Sequence, residues 1–202
     1  MDHRDLPIII LAAGASSRMR GRDKLMEEID GMPLLRRQVI KARAVTRGSV
    51  LVTLPPPPHQ RYDALDGLEA DRLPVADADE GMNASLRRAF AALPADCTHA
   101  MLLLADLPDL TADDLATVAD AVDLDSATLV WRGSTQAGAM GHPIVVRAAL
   151  FDSFIALQGD SGGREVMAQA QGRILPVPLP ADHARRDLDT PEDWAAWRAE
   201  KH

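Results

Sequence analysis

Between Ile9 and Leu25 the chain reads IILAAGASSRMRGRDKL. An apolar run stops at Gly14, gives way to Ser16 and Ser17, and then to Arg18, Arg20, Arg22 and Lys24. Glycine permits close backbone approach and unusual dihedrals, so successive amides in such a loop can point at phosphate oxygens. Arg18 and Lys24 would neutralise the remaining charge. The spacing is neither a dinucleotide fingerprint nor a Walker A loop: G-x-G-x-x-G is missing, and Gly21 leads to Arg22-Asp23-Lys24 rather than Gly-Lys-Ser/Thr. The alternative is a solvated basic loop.

Four further stretches hold groups suited to the same chemistry. In LLLADLPDL, Asp106 follows a wholly apolar run, a rigid platform for Mg²⁺, which takes one or two carboxylates plus substrate phosphates and water. The competing role is a turn or cap. In DLDTPEDW, Asp187 and Asp189 alternate as in a short strand and share a face, so one can supply a second metal carboxylate. Thr190, Glu192 and Asp193 serve the entry of a helix. In DEGMNASL, Gly81, Asn83 and Ser85 open a helix and suit a base or sugar, or a plain cap by Asn83. In GDSGGREVM, Gly162, Gly163 and Arg164 make either an anion site at a helix start or a tight turn.

These groups need a scaffold. Ile8–Leu11, Val50–Val52, Met101–Leu104 and Thr128–Trp131 read as strands buried on both faces. Pro33 to Val45, Asn83 to Leu93 and Thr111 to Val122 read as helices, the last capped by Thr111 with Asp113 and Asp114 at the positive end of its dipole. Later come a short strand at Pro143–Val146 within a β-ribbon, a helix over Ser161–Ala170, a strand over Arg173–Val177 and a helix from Pro191 to Trp197. Pro55 to Pro58 reads as a stiff connector. Strand–helix alternation predicts an α/β fold, with a mostly parallel sheet and helices on both faces. Ligands of such sheets bind beyond the carboxyl ends of the strands, where the loops above would converge.

Composition narrows the partners. A chain of 202 residues with 47% hydrophobic residues can bury one sizeable core, built with only 3% aromatics. A net charge of −8 argues against nucleic acid, because phosphate backbones select a broad positive field. Cys97 is the only cysteine, so no intrachain disulfide or cysteine zinc site forms, as expected in a reducing compartment. The six histidines show no metal-binding spacing, and Ser16 and Ser17 lack the G-x-S-x-G elbow. Met1 to Arg4 does not begin a secretory signal and no run approaches membrane-spanning length, so a cytoplasmic protein with no membrane partner is expected.

Taken in order, LAAGASSRMRGRDKL, DGMPLLRR, GMNASLRRA, ADLPDL, GHPIVV, GDSGGREVM and DLDTPEDW resemble the nucleotidyltransferases that process molybdopterin. The Leu-Ala-Ala-Gly form is closer to the molybdenum cofactor cytidylyltransferases than to the guanylyltransferase branch, which usually reads Leu-Ala-Gly-Gly. The resemblance implies a three-layer Rossmann-like nucleotidyltransferase fold over residues 1–202, with a nucleotide-binding half (1–110) and an acceptor-binding half (111–202). It implies Mg²⁺-dependent transfer of CMP from CTP to the terminal phosphate of molybdenum-loaded molybdopterin, releasing pyrophosphate, with a molybdoenzyme or its chaperone as recipient.

By the same resemblance, the nucleotide would lie against Leu11, Ala12, Ala13, Gly14, Ser16, Ser17, Arg18 and Lys24, with Gly81, Asn83 and Ser85 on its base and sugar side. Lys24, Arg18 and Asp106 would be catalytic, and Asp106, Asp187 and Asp189 would hold the metal. The acceptor would meet His142, Pro143, Gly162, Gly163 and Arg164. Arg20 departs from the family pattern: many relatives carry glycine directly after Arg-Met, so the loop would be longer by one residue or shifted. Other readings are transfer to a sugar, polyol or phospholactate-type phosphate, use of GTP, or a carrier that binds cofactor without turnover.

Overall fold

Alternation within the apolar runs builds two cores on one sheet. In a computed structural model, which describes residues 5–201, β1 (Ile8–Leu11) is wholly buried. Ile8 and Ile10 point into one core, Ile9 and Leu11 into the other. The flanking strands β4 (Val50–Leu54) and β6 (His99–Leu104) repeat this division, as period-two geometry requires. Met1 to Arg4, on which the signal-sequence expectation rests, lies outside the described residues.

The remaining elements, in chain order, are β2 (Glu28–Ile29), β3 (Met32–Pro33), α1 (Leu34–Val45), α2 (Gln60–Asp63), β5 (Asp71–Pro74), α3 (Met82–Phe90), α4 (Ala112–Asp120), β7 (Val130–Ser134), β8 (Met140–Arg147), α5 (Phe151–Ile155), α6 (Arg164–Gln169), β9 (Ile174–Pro178) and α7 (Pro191–Lys201). The seven-stranded sheet runs β5-β4-β1-β6-β8-β7-β9. All pairings are parallel except those of β8, which is antiparallel to β6 and β7. Residues of α1, α4 and α7 pack on one face and those of α3, α5 and α6 on the other, giving three layers. The sheet is therefore α/β and mostly parallel, as expected. Among the described residues, no helix is long and apolar enough to cross a membrane.

One strand differs from its sequence reading. The segment expected as a short piece of β-ribbon at Pro143–Val146 is the eight-residue β8, inside the sheet. The ladder with β7 shifts register between Arg132 and Ser134, opposite the stretch that holds Pro143. Such an irregularity is where a sheet tolerates a residue with no N–H. Gly141 allows the 184 loop to lie on β8, because a Cβ there would stand 2.0 Å from the Ala184 carbonyl oxygen. The other strands and helices expected over Ile8–Leu11, Pro33–Val45, Val50–Val52, Asn83–Leu93, Met101–Leu104, Thr111–Val122, Thr128–Trp131, Ser161–Ala170, Arg173–Val177 and Pro191–Trp197 fall within a few residues of their expected limits, while β2, β3, α2, β5 and α5 had no expectation.

Helix α4 starts as its sequence predicts. Thr111 Oγ1 accepts the Asp114 amide at 3.1 Å, and Asp114 Oδ2 accepts the Thr111 amide at 2.8 Å. Removing such a cap costs about 1 kcal/mol. Thr111→Ala is expected to lower the urea-unfolding free energy by about that amount while leaving nucleotide affinity unchanged; an equal affinity loss would place Thr111 in the site.

Candidate active site

The loop after β1 is shaped by a residue far from it in sequence. Arg61, 1% exposed, donates from Nε to Asp23 Oδ2 and from Nη2 to Asp23 Oδ1, both at 2.7 Å. Its Nη1 also reaches the Ala12 carbonyl at 2.6 Å, and Nη2 reaches Ser16 Oγ at 3.1 Å. Asp23 in turn accepts the Leu25 amide at 3.0 Å, and Ser16 Oγ accepts the Lys24 amide at 3.3 Å. One guanidinium thus spans both ends of the loop. Burial alone would raise the Asp23 carboxyl, but the Arg61 guanidinium and the hydrogen bonds of Leu25 and Ser16 hold it below the ordinary carboxylate value. Met19, fully buried, anchors the middle of the loop.

With the ends pinned, the loop presents its tip to a cavity of about 430 Å³. Leu11, Ala12, Ala13, Gly14, Ser17 and Lys24 line one side, and Gly81 and Ser85 line another. Asp106 opens into the same space. Gly81 has φ of 106°, and a Cβ on it would lie 2.2 Å from the Asp160 carboxylate. Asp160 accepts the Met82 amide at 2.7 Å and also lines the cavity. Sequence reasoning passed over Asp160, because nothing local says that its loop returns to the start of α3.

The cations of the loop are not free. Lys24 Nζ donates to Asp106 Oδ2 at 2.5 Å and to Asp189 Oδ1 at 2.6 Å, and Arg18 Nη1 lies 2.6 Å from Asp189 Oδ2. Burial pulls the Lys24 ammonium down, but Asp106 and Asp189 outweigh it and raise its pKa, so it is protonated. Ligand oxygens of Asp106, Asp187 and Asp189 lie within 4.8 Å of one another. Burial and the charges of Asp189 and Asp106 push the Asp187 carboxyl up.

Two interactions bring the three carboxylates together. The Leu188 amide donates to the Asp106 carbonyl at 3.3 Å. Asp193 Oδ2 accepts the Asp189 and Thr190 amides at 3.1 and 2.8 Å, fixing the start of α7. The 187–189 segment is not a strand, as its alternation had suggested, but an irregular lead into that helix.

Several expected contacts turn out differently. Ser16 keeps its hydroxyl within the loop and does not line the cavity. Asn83 is fully buried and points away from it: Nδ2 donates to the Gln158 carbonyl at 2.7 Å and to Ser161 Oγ at 3.1 Å, and Oδ1 accepts the Gly163 amide at 3.2 Å. Gly162 and Gly163, at φ of 62° and 75°, form the tight turn that Asn83 clasps. Arg164 donates to Ser161 O at 3.0 Å. Phe154 and Leu86 pack so closely on Gly163 that a Cβ would meet them at 3.1 and 3.3 Å, so the turn serves packing.

His142 and Pro143 lie on β8 near Asp106. Burial and the neighbouring Arg132 push the imidazole down to about 4, against the Leu102 carbonyl and the Asp106 charge. A neutral histidine whose pKa has fallen from 6.5 makes stability decline as pH drops from about 6.5 to about 4. Arg20 adopts a left-handed φ of 53° and sets its side chain 2.7 Å from Glu192 of α7. Its backbone is the one glycine favours, and the arginine accepts it at a cost of about 1–2 kcal/mol.

Loop amides and cations for a triphosphate, facing carboxylates at the carboxyl edge of a parallel sheet, are the parts of an enzyme that moves nucleotidyl groups. The chain is a nucleotidyltransferase, and its substrate is a nucleoside triphosphate. It belongs to the MobA-like NTP transferase domain family, whose model matches residues 8–174. Among curated protein sequences none matches.

Solved structures share the fold. The Mycobacterium tuberculosis Rv0371c homologue from Mycobacterium sp. strain JC1 is 24% identical with a TM-score of 0.80, covering 99% of this chain and 98% of its own. Rv0371c of M. tuberculosis H37Rv in complex with manganese is 22% identical with a TM-score of 0.78, covering 95% and 97%. CMP:2-keto-3-deoxy-manno-octonic acid synthetase complexed with CTP is 16% identical with a TM-score of 0.73, covering 97% and 98%.

Breaking a buried ion pair by removing one partner costs about 3–5 kcal/mol. Arg61→Ala is expected to lose about that much stability in urea and to weaken nucleotide binding. Arg61→Lys, which keeps the charge but not the fork, falls between. In the wild type the Asp23 contribution is present above its unfolded value of 3.8 and is lost as pH falls through the lower folded value. An Arg61→Ala protein as stable as wild type at pH 7 would remove Arg61 from this role.

Proposed function

We propose that the chain transfers CMP from CTP to the terminal phosphate of molybdenum-loaded molybdopterin, with Mg²⁺, and releases pyrophosphate. The observation that carries this reading is the joining of the two sequence features at one cavity. The loop from Ala12 to Ser17, Ser16 apart, lines the cavity with Lys24 and Asp106, and Asp187 and Asp189 converge on Asp106, with Lys24 and Arg18 paired to Asp189. The motif order described above supports the molybdopterin acceptor. Ala13, together with a structural neighbour that holds CTP, supports the cytidine nucleotide.

The carboxylates fit a hard divalent ion. Three oxygen donors converge, and Asp106 Oδ1 is buried with no hydrogen-bond partner, an atom that a cation would satisfy. Once bound, the ion offsets charge on the phosphates. The chain's own residues do the rest. Amides from Ala13 to Ser17 cradle the triphosphate, while Lys24 and Arg18 stabilise charge that builds on the leaving pyrophosphate. Ser85 and Asp160, which also line the cavity, can each accept a hydrogen bond from a base amino group, an interaction cytosine can make and uracil cannot. The attacking phosphate monoester is largely ionised near neutral pH, so little general base is required, in keeping with a neutral His142.

The test is pyrophosphate release from each of the four nucleoside triphosphates, with molybdopterin and with sugar, polyol and phospholactate-type phosphates as acceptors. CTP with molybdenum-loaded molybdopterin should give the highest rate, and Asp106→Ala should lower it at least about a hundredfold. Equal rates with GTP would overturn the cytidine preference. A faster sugar phosphate would overturn the acceptor, and tight cofactor binding with no pyrophosphate would indicate a carrier.

A further inference from the structure

An ammonium occupies the place a metal would need. Lys24 Nζ sits between Asp106 Oδ2 and Asp189 Oδ1, two of the three carboxylates that converge within 4.8 Å. These side chains are 16–17% exposed, so the contact is poorly screened by solvent. Arg18 holds the other oxygen of Asp189. The oxygen left over, Asp106 Oδ1, is buried and unpartnered. The protein's own cations therefore neutralise the carboxylates, yet do so incompletely.

We infer that Lys24 changes partners during binding: it holds Asp106 and Asp189 when the cavity is empty and passes to the phosphates when the nucleotide enters, so that metal and nucleotide bind cooperatively. This deepens, and rests on, the reading of the cavity as a triphosphate site. A divalent ion arriving alone meets Lys24 on the oxygens it requires. Displacing the ammonium sets it beside the divalent ion in a half-buried space, with no anion left to receive the ammonium. A triphosphate supplies that anion at the loop tip, where Lys24 already lines the wall. By thermodynamic reciprocity the nucleotide strengthens metal binding by the factor that the metal strengthens nucleotide binding.

The test is titration of the whole protein with Mn²⁺, following the free ion by electron paramagnetic resonance, with and without a CTP analogue that cannot release pyrophosphate. Wild type should bind Mn²⁺ weakly alone and at least tenfold more tightly with the analogue. Lys24→Met should bind Mn²⁺ alone at least tenfold more tightly than wild type and gain less from the analogue. Lys24→Gln serves as a second variant should the methionine form unfold, with folding followed by circular dichroism. Arg22→Gln removes a nearby charge that faces Glu27 instead, at 3.0 Å, and should leave Mn²⁺ affinity within twofold. Equal Mn²⁺ affinity in wild type and both Lys24 variants would overturn the exchange, as would an equal gain in Arg22→Gln. Failure of the analogue to bind at all would overturn the triphosphate reading instead, while the comparison without nucleotide would still decide the exchange.

Discussion

The site depends on the buried Arg61–Asp23 pair. A glycine-containing loop has too much freedom to hold amides in one array, and the guanidinium removes that freedom. It ties Ala12 at the exit of β1 to Asp23 at the far end and holds Ser16 between them. The fork geometry suits this task, since one planar group makes several directed bonds at once. Charge compensation inside the protein is what lets an arginine at 1% exposure persist. The bonds of Arg61 go to Ala12, Ser16 and Asp23, while Gly14, Ala15 and Ser17 line the cavity.

A second constraint is the matching of charge across distant segments. Arg18, Arg20, Arg22 and Lys24 face Asp189, Glu192, Glu27 and the Asp106/Asp189 pair. The loop after β1 is thereby joined to the segment that leads into α7. Asp109, three residues beyond Asp106, accepts the Trp197 indole N–H at 2.9 Å and holds the other end of the contact. The exposed pairs contribute little to stability. They bring the three carboxylates and the loop after β1 to the same sheet edge.

Much of this was legible in the sequence. Ile8–Leu11 could only be a buried strand, and T-x-x-D at Thr111 carries its own cap. Asp106 past an apolar run pointed to the carboxyl edge of a parallel sheet, with a turn or cap as the alternative. Three things were not legible. Arg61 lies 38 residues from Asp23, and an arginine in a polar stretch gives no local sign of burial. Asn83 sits where a helix cap or a ligand contact would look the same, and only the return of the 158–163 loop decides that it clasps Gly163. The arginine cluster was read for its charge toward phosphate. Of the carboxylates that answer it, Glu27 is local, but Asp106, Asp189 and Glu192 lie more than 80 residues on, beyond any local pattern.

What defines the proposed reaction is where the nucleotidyl group goes. The most direct measurement is the mass of the cofactor recovered after incubation with the protein, Mg²⁺, CTP and molybdenum-loaded molybdopterin. The cofactor should gain one cytidine monophosphate unit for each pyrophosphate formed. Phosphate or pyrophosphate released from CTP while the cofactor keeps its original mass would contradict the proposed transfer.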